Sequence, residues 1–123
     1  MNFEQTPEFL KDVKKLTKKW RSIPEDIDAA KRDILPLYIK QEGVDIVRLR
    51  EAFFGGYKAA IIASIEDTEV IKMRLDVAYL GRNDKVRIIF VAVKTKDIIT
   101  FVELYAKNEK DREDKSRYRQ YLT

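Results

Sequence analysis

The sequence predicts an α+β fold, with an N-terminal strand and a helical hairpin packed on one face of a small, mainly antiparallel sheet. Three observations carry this. Two segments near the start place apolar residues at helical spacing, the pattern from residue 69 onward switches to period two, and the later apolar runs are joined by hairpin-length connections. Connections that short require antiparallel neighbours. With 123 residues the chain has room for one domain, residues 1–123, around one core.

Residues 2–6 read as a short strand. Thr6-Pro7 then opens a helix, with Thr6 as N-cap and Pro7 in the first helical position. Phe9, Val13, Leu16 and Trp20 form its apolar stripe, and the intervening lysines read as a solvated face. Ser22-Ile23-Pro24-Glu25 reads as a capping-box start for a second helix. Ile27, Ala30, Ile34 and Tyr38 make its buried stripe, and Pro36 should kink or end it.

Residues 42–68 are less regular. Val44 to Phe54 reads as a loop with a helical turn, Gly55-Gly56 breaks the chain, and Tyr57 to Ile65 fits either a strand or more irregular chain. Beyond Glu69, Ile71, Met73, Leu75 and Val77 alternate with Val70, Lys72, Arg74 and Asp76, as in a half-buried strand. Gly81 to Asp84 reads as a turn. Val86 to Lys94 is β-branched and nearly continuously apolar, so it reads as a central strand. A tight turn at Thr95-Lys96-Asp97 leads to a last strand, Ile98 to Ala106. The polar stretch from Asn108 runs into a short terminal helix or solvated tail, Lys115 to Leu122. Helices on one face leave the other face, or its edge, free for function.

Composition narrows the chemistry. Hydrophobic residues at 45% suffice for a folded core, with 37% charged residues around it. There is no Cys and no His, so disulfides, thiolate metal sites and the commonest general base are all absent. Any reaction must run on Lys, Arg, Tyr, Asp or Glu, and no cofactor or metal is expected. The opening Met1-Asn2-Phe3-Glu4 lacks a basic region followed by an apolar stretch, and the apolar runs are too short to span a bilayer. A cytoplasmic protein without a membrane partner is the expectation.

Charge is uneven. Residues 1–71 carry 12 Lys and Arg against 13 Asp and Glu, and residues 72–123 carry 13 against 8, for net charges of −1 and +5. A basic second half suits a polyanionic partner such as nucleic acid, and is equally compatible with ordinary solubilising charge. Lys72 and Arg74 share one face of their strand, Arg87 interrupts an apolar strand, and Tyr105 and Lys107 share a face of the last strand. Antiparallel pairing can gather these five into a basic patch containing a phenol. Such a patch suits RNA cleavage by the internal 2′-hydroxyl. Clustered cations stabilise the phosphorane, Arg grips phosphate oxygens, crowding lowers a Lys pKa toward that of a base, and an exposed Tyr stacks on a base or moves a proton. The structural alternatives are an Arg87–Glu103 salt bridge and a Tyr105 at the core edge.

Val70-Ile71-Lys72-Met73-Arg74-Leu75, Val86-Arg87-Ile88-Ile89-Phe90 and Phe101-Val102-Glu103-Leu104-Tyr105-Ala106-Lys107-Asn108-Glu109 together resemble the strand series of the RelE/ParE toxin superfamily, in its RelE/HigB-like branch. The opening Phe3 to Val13 is similar to that family's first strand and helix. The resemblance covers about residues 1–40 and 69–112. It implies a RelE-like fold and the toxin of a type II toxin-antitoxin system. It further implies a metal-independent, ribosome-dependent mRNA endoribonuclease whose partners are a cognate antitoxin, mRNA and the ribosome. Residue by residue it points to Lys72, Arg74, Arg87, Tyr105 and Lys107. The same scaffold hosts a ParE branch that inhibits DNA gyrase without cleaving RNA. Asp84 and Glu103, acids near the patch, leave open a third option, a catalytically inactive binding module.

Overall fold

The computed structural model describes the backbone of residues 1–123 and the side chains of residues 1–80 and 85–123. The strands are β1 (Asn2–Gln5), β2 (Ala59–Ile65), β3 (Thr68–Val77), β4 (Gly81–Val93) and β5 (Ile98–Ala106), and the helices are α1 (Pro7–Lys19), α2 (Ile23–Ile34) and α3 (Ile46–Gly55). The strands form one five-stranded sheet in the order β1-β5-β4-β3-β2. β2 to β5 run as an antiparallel meander, and β1 joins β5 in parallel. β4 is the central strand, as its apolar run predicts. The turn expected over residues 81–84 comes earlier, as a 3₁₀ turn (Ala78–Leu80) between β3 and β4.

Local chemistry explains most boundaries. The Thr6 hydroxyl accepts from the Phe9 N–H at 3.1 Å and starts α1. α2 begins where Ser22 places it, but the expected capping box does not form. Instead the Ser22 hydroxyl donates to Asp26 at 2.7 Å and accepts from the Tyr79 N–H at 2.9 Å, while buried Asp26 also accepts from the Ala78 N–H at 3.2 Å. Donors from the end of β3 outcompete the local cap. Pro36 ends α2 at Ile34, and one 3₁₀ turn (Leu35–Leu37) follows.

The segment read as a loop with a helical turn is a ten-residue helix, α3. Asp45 caps it by accepting from the Arg48 N–H at 3.2 Å. Its half-buried residues, Ile46, Leu49, Arg50, Phe53 and Phe54, recur at helical spacing, and Phe53 and Phe54 pack against the core. An ion pair holds it: Arg50 grips buried Glu69 of β3 with contacts of 2.6 and 2.8 Å, and Lys94 meets the same carboxylate at 2.8 Å.

The sheet is apolar on both faces. Helices α1 and α2 cover one, burying Phe9, Ile23 and Ile34 against Met73, Phe90 and Phe101. On the other face Val70, Ile89, Val91 and Val102 pack with Tyr118, and Tyr121 and Leu122 lie partly buried beside them. That face is therefore only partly free. The expected terminal helix is a pair of 3₁₀ turns (Lys115–Arg117 and Arg119–Leu122), and burial of Tyr118 makes the segment a cover, not a solvated tail.

A bulge in β5 makes that cover possible. Ile89 pairs with Glu103 but Phe90 pairs with Phe101, so Val102 is an extra residue and Glu103 joins Val102 on the second face. The Glu103 side chain is 1% exposed and needs partners. Lys110 supplies an ion pair, and the Asp114 N–H donates at 2.8 Å. Arg117 adds a second tie, donating to Asp12 of α1 at 2.8 Å and to the Val102 carbonyl at 2.9 Å. Among the described residues no helix is long and apolar enough to cross a membrane.

Breaking a buried ion pair from one side costs about 3 kcal/mol. Glu103→Ala should lose roughly that in urea unfolding, and trypsin should cut sooner at Lys110 and Lys115. Unchanged stability and cleavage would show that Glu103 does not hold the C-terminal segment.

Candidate functional site

The antiparallel register assembles the patch. Arg74 on β3 lies directly opposite Arg87 on β4, which lies directly opposite Tyr105 on β5. One step along, Lys72 faces Ile89, which faces Glu103. Like charges directly opposite on neighbouring strands repel, so the Arg74–Arg87 register calls for partners around both side chains.

Lys72, Arg74, Arg87 and Lys107 line one cavity of about 370 Å³. Lys58 is a fifth cation in its wall, and Tyr57, Ala60 and Ile62 complete the β2 side. Arg87 is 4% exposed and contacts the Val86 carbonyl at 3.4 Å. Arg74 donates through Nε to the Tyr57 carbonyl at 2.7 Å, with its guanidinium 4.6 Å from the Tyr57 ring centre. Lys58 pairs with Asp76 at 2.9 Å. Lys107 is exposed at the end of β5.

Two expected roles change. Tyr105 is 5% exposed, and its ring packs in the second-face core, so it offers no open face for stacking on a base. Its hydroxyl is buried without a well-aligned hydrogen bond. Burial raises its pKa, against the lowering effect of Lys72. The exposed phenol in the cavity wall is Tyr57, at 68%. Lys72 lies 3.0 Å from Glu113 of the C-terminal segment. Burial disfavours its charge, but Glu113 and the neighbouring Tyr105 outweigh burial and raise its pKa. The crowding expected to make it a base is reversed by a carboxylate, and Lys72 is a cation.

Glu113 is correspondingly lowered. Burial opposes its charge, while a backbone hydrogen bond and Lys72 prevail. A lowered carboxylate contributes stability above its unfolded pKa, about 4.3, and loses it as pH falls through the folded value. A raised lysine contributes below its unfolded pKa, about 10.4, and loses it as pH rises through the folded value. The pair therefore holds fully across neutral pH.

Tyr57, Lys58 and Glu113 were not among the residues singled out from sequence. Tyr57-Lys58 directly follows Gly55-Gly56, a break that brings the chain back to the sheet edge. Glu113 carries no such signal, because only the fold of the last fifteen residues brings it to Lys72. The side chain of Asp84, read as an acid near the patch, lies outside those described. Glu103, its companion, is committed to Lys110 and the Asp114 backbone.

In a ¹³C-detected titration of the lysine side chains, Lys72 should titrate above the ordinary lysine value. Glu113→Gln should move it down, because burial then acts with less opposition. An unchanged Lys72 would show that Glu113 does not set its charge. In comparisons with known proteins, no family model, no curated protein and no solved structure matches this chain.

Proposed function

We propose that the chain is a RelE-like toxin of the RelE/ParE superfamily, a metal-independent and ribosome-dependent mRNA endoribonuclease neutralised by a cognate antitoxin. The observation that supports this most is the row of Arg74, Arg87 and Tyr105 beside Lys72 and Lys107, four of these five residues lining one cavity. In the proposed reaction the 2′-oxygen of the RNA attacks the adjacent phosphorus and the 5′-oxygen leaves. The products are a 2′,3′-cyclic phosphate and a free 5′-hydroxyl, so the proton of the 2′-hydroxyl is balanced by the one gained at the 5′-oxygen. Arg74, Arg87 and Lys72 stabilise the extra charge on the phosphorane, and Lys107 holds a neighbouring phosphate. Tyr57 takes the base-stacking role expected of Tyr105.

A second reading is favoured by the pairing of Lys72 with Glu113 and the burial of Tyr105. Both remove candidates for proton transfer, as fits a ParE-like gyrase inhibitor or an inactive binding module. The cationic cavity then serves binding alone.

Inducible expression in bacteria, with growth curves and mapping of mRNA 5′ ends, separates the readings. Wild type should arrest growth and create new 5′ ends. Arg74→Ala should lose both, with cleavage by purified protein on translating ribosomes down about 10²- to 10³-fold. Arg87→Ala should behave likewise, with circular dichroism to check folding at this buried site. Arrest with intact transcripts and loss of gyrase supercoiling would replace the nuclease by the inhibitor, and harmless expression would remove both.

A further inference from the structure

The C-terminal segment is anchored twice without help from Glu113. Buried Glu103 binds Lys110 and the Asp114 N–H, and Arg117 binds Asp12 and the Val102 carbonyl. Glu113 sits between these anchors and extends its carboxylate to Lys72, 3.0 Å away. The Lys72 and Glu113 side chains are 31% and 18% exposed, while the Glu113 Oε1 that meets Lys72 is itself buried. Lys72 also lines the cationic cavity, where its neighbours are Arg74, Arg87, Lys58 and Lys107.

A carboxylate against an ammonium at the rim of a cationic cavity occupies a position that an external anion also favours. We propose that Glu113 is a built-in anion that competes with a phosphodiester for Lys72, so that the C-terminal segment sets the affinity of the cavity for its polyanionic ligand. The proposal rests on the phosphate-binding reading of the cavity. Tethering gives Glu113 a high effective concentration at Lys72, and an arriving phosphate must displace it. Displacement is local. Rotation of one side chain into water frees Lys72, while the Glu103 and Arg117 anchors keep the segment in place. The same separation makes Glu113→Gln a clean variant, because it removes the competitor and leaves the anchors.

The test uses fluorescence anisotropy with a short 2′-O-methyl RNA, which binds but cannot be cleaved. Glu113→Gln should bind about tenfold more tightly than wild type at low salt. Asp111→Asn, which removes an exposed acid from the same segment, should change affinity much less. In a Lys72→Met background Glu113→Gln should lose most of its effect, since the two residues act through one contact. Equal effects of Glu113→Gln and Asp111→Asn would reduce the effect to net charge and overturn the proposal, as would tenfold tightening that persists without Lys72. Pyrophosphate titrated against the Lys72 ¹³Cε resonance decides the matter independently of RNA. If no variant binds RNA but Glu113→Gln binds pyrophosphate more tightly than wild type, the nuclease reading fails and the gate stands. If wild type and Glu113→Gln bind pyrophosphate equally or not at all, the gate is wrong.

Discussion

A carboxylate buried on the second face of the sheet organises much of the rest. Glu103 stands where the neighbouring residues of β5 are apolar, and a charge there is tolerated only if it is paired and hydrogen-bonded. The partners come from Lys110 and the Asp114 backbone, so satisfying Glu103 folds the chain back over the sheet immediately after β5. Tyr118 can then complete a second small core with Val70, Ile89 and Val102. The bulge at Val102 is part of the same solution, because it turns Val102 and Glu103 toward one face. Part of what remains open on this face, toward β2, is the cationic cavity.

Two charges of the cavity are difficult to explain as ordinary surface. Arg74 and Arg87 face each other on adjacent strands of the sheet, and Arg87 is almost wholly buried. Solubility alone calls for neither, since exposed lysines on α1 serve that purpose at lower cost. A conflict between local stability and residue choice is a mark of a functional site. It does not distinguish catalysis from binding, because both need a concentrated positive field.

The readable parts of the sequence were those governed by short-range rules. Period two gave β3, the apolar run gave β4, Thr6-Pro7 gave the start of α1, and Pro36 gave the end of α2. The same alternation put Lys72 and Arg74 on one face of β3, whereas the register that sets Arg74 against Arg87 and Tyr105 is fixed by the strand pairing itself. The parts that escaped were settled by tertiary contacts. α3 has a stripe, Ile46, Leu49, Phe53 and Phe54, but the charged Arg50 interrupts it, and that charge finds its partner only in Glu69, nineteen residues on. Ser22 bonds the Asp26 carboxylate and the Tyr79 N–H rather than capping a backbone N–H of its own helix, and Glu113 reaches a strand more than forty residues earlier. Tyr105 was placed on the correct face, but its exposure depended on the cover formed by the last fifteen residues.

The Lys72–Glu113 pair changes the division of labour within the proposed site. A lysine acts as a base only if its surroundings favour the neutral amine, and Glu113 favours the ammonium. Tyr105, with its pKa raised by burial, is likewise protonated at neutral pH. In the proposed nuclease Lys72 therefore serves as a charge and Tyr105 as a buried neighbour, and neither removes the 2′-hydroxyl proton. General acid–base assistance contributes typically about 10²- to 10⁴-fold, while an oriented electrostatic environment is commonly the larger share. A cavity of fixed guanidiniums supplies that larger share without any residue changing its protonation state. Substrate binding that displaces Glu113 would also lower the Lys72 pKa, because the carboxylate that raises it has left. The phosphate arriving in its place is itself anionic and restores the ammonium, so Lys72 stays a clamp throughout, and the search for a base moves to groups brought by the partner on which the RNA is presented.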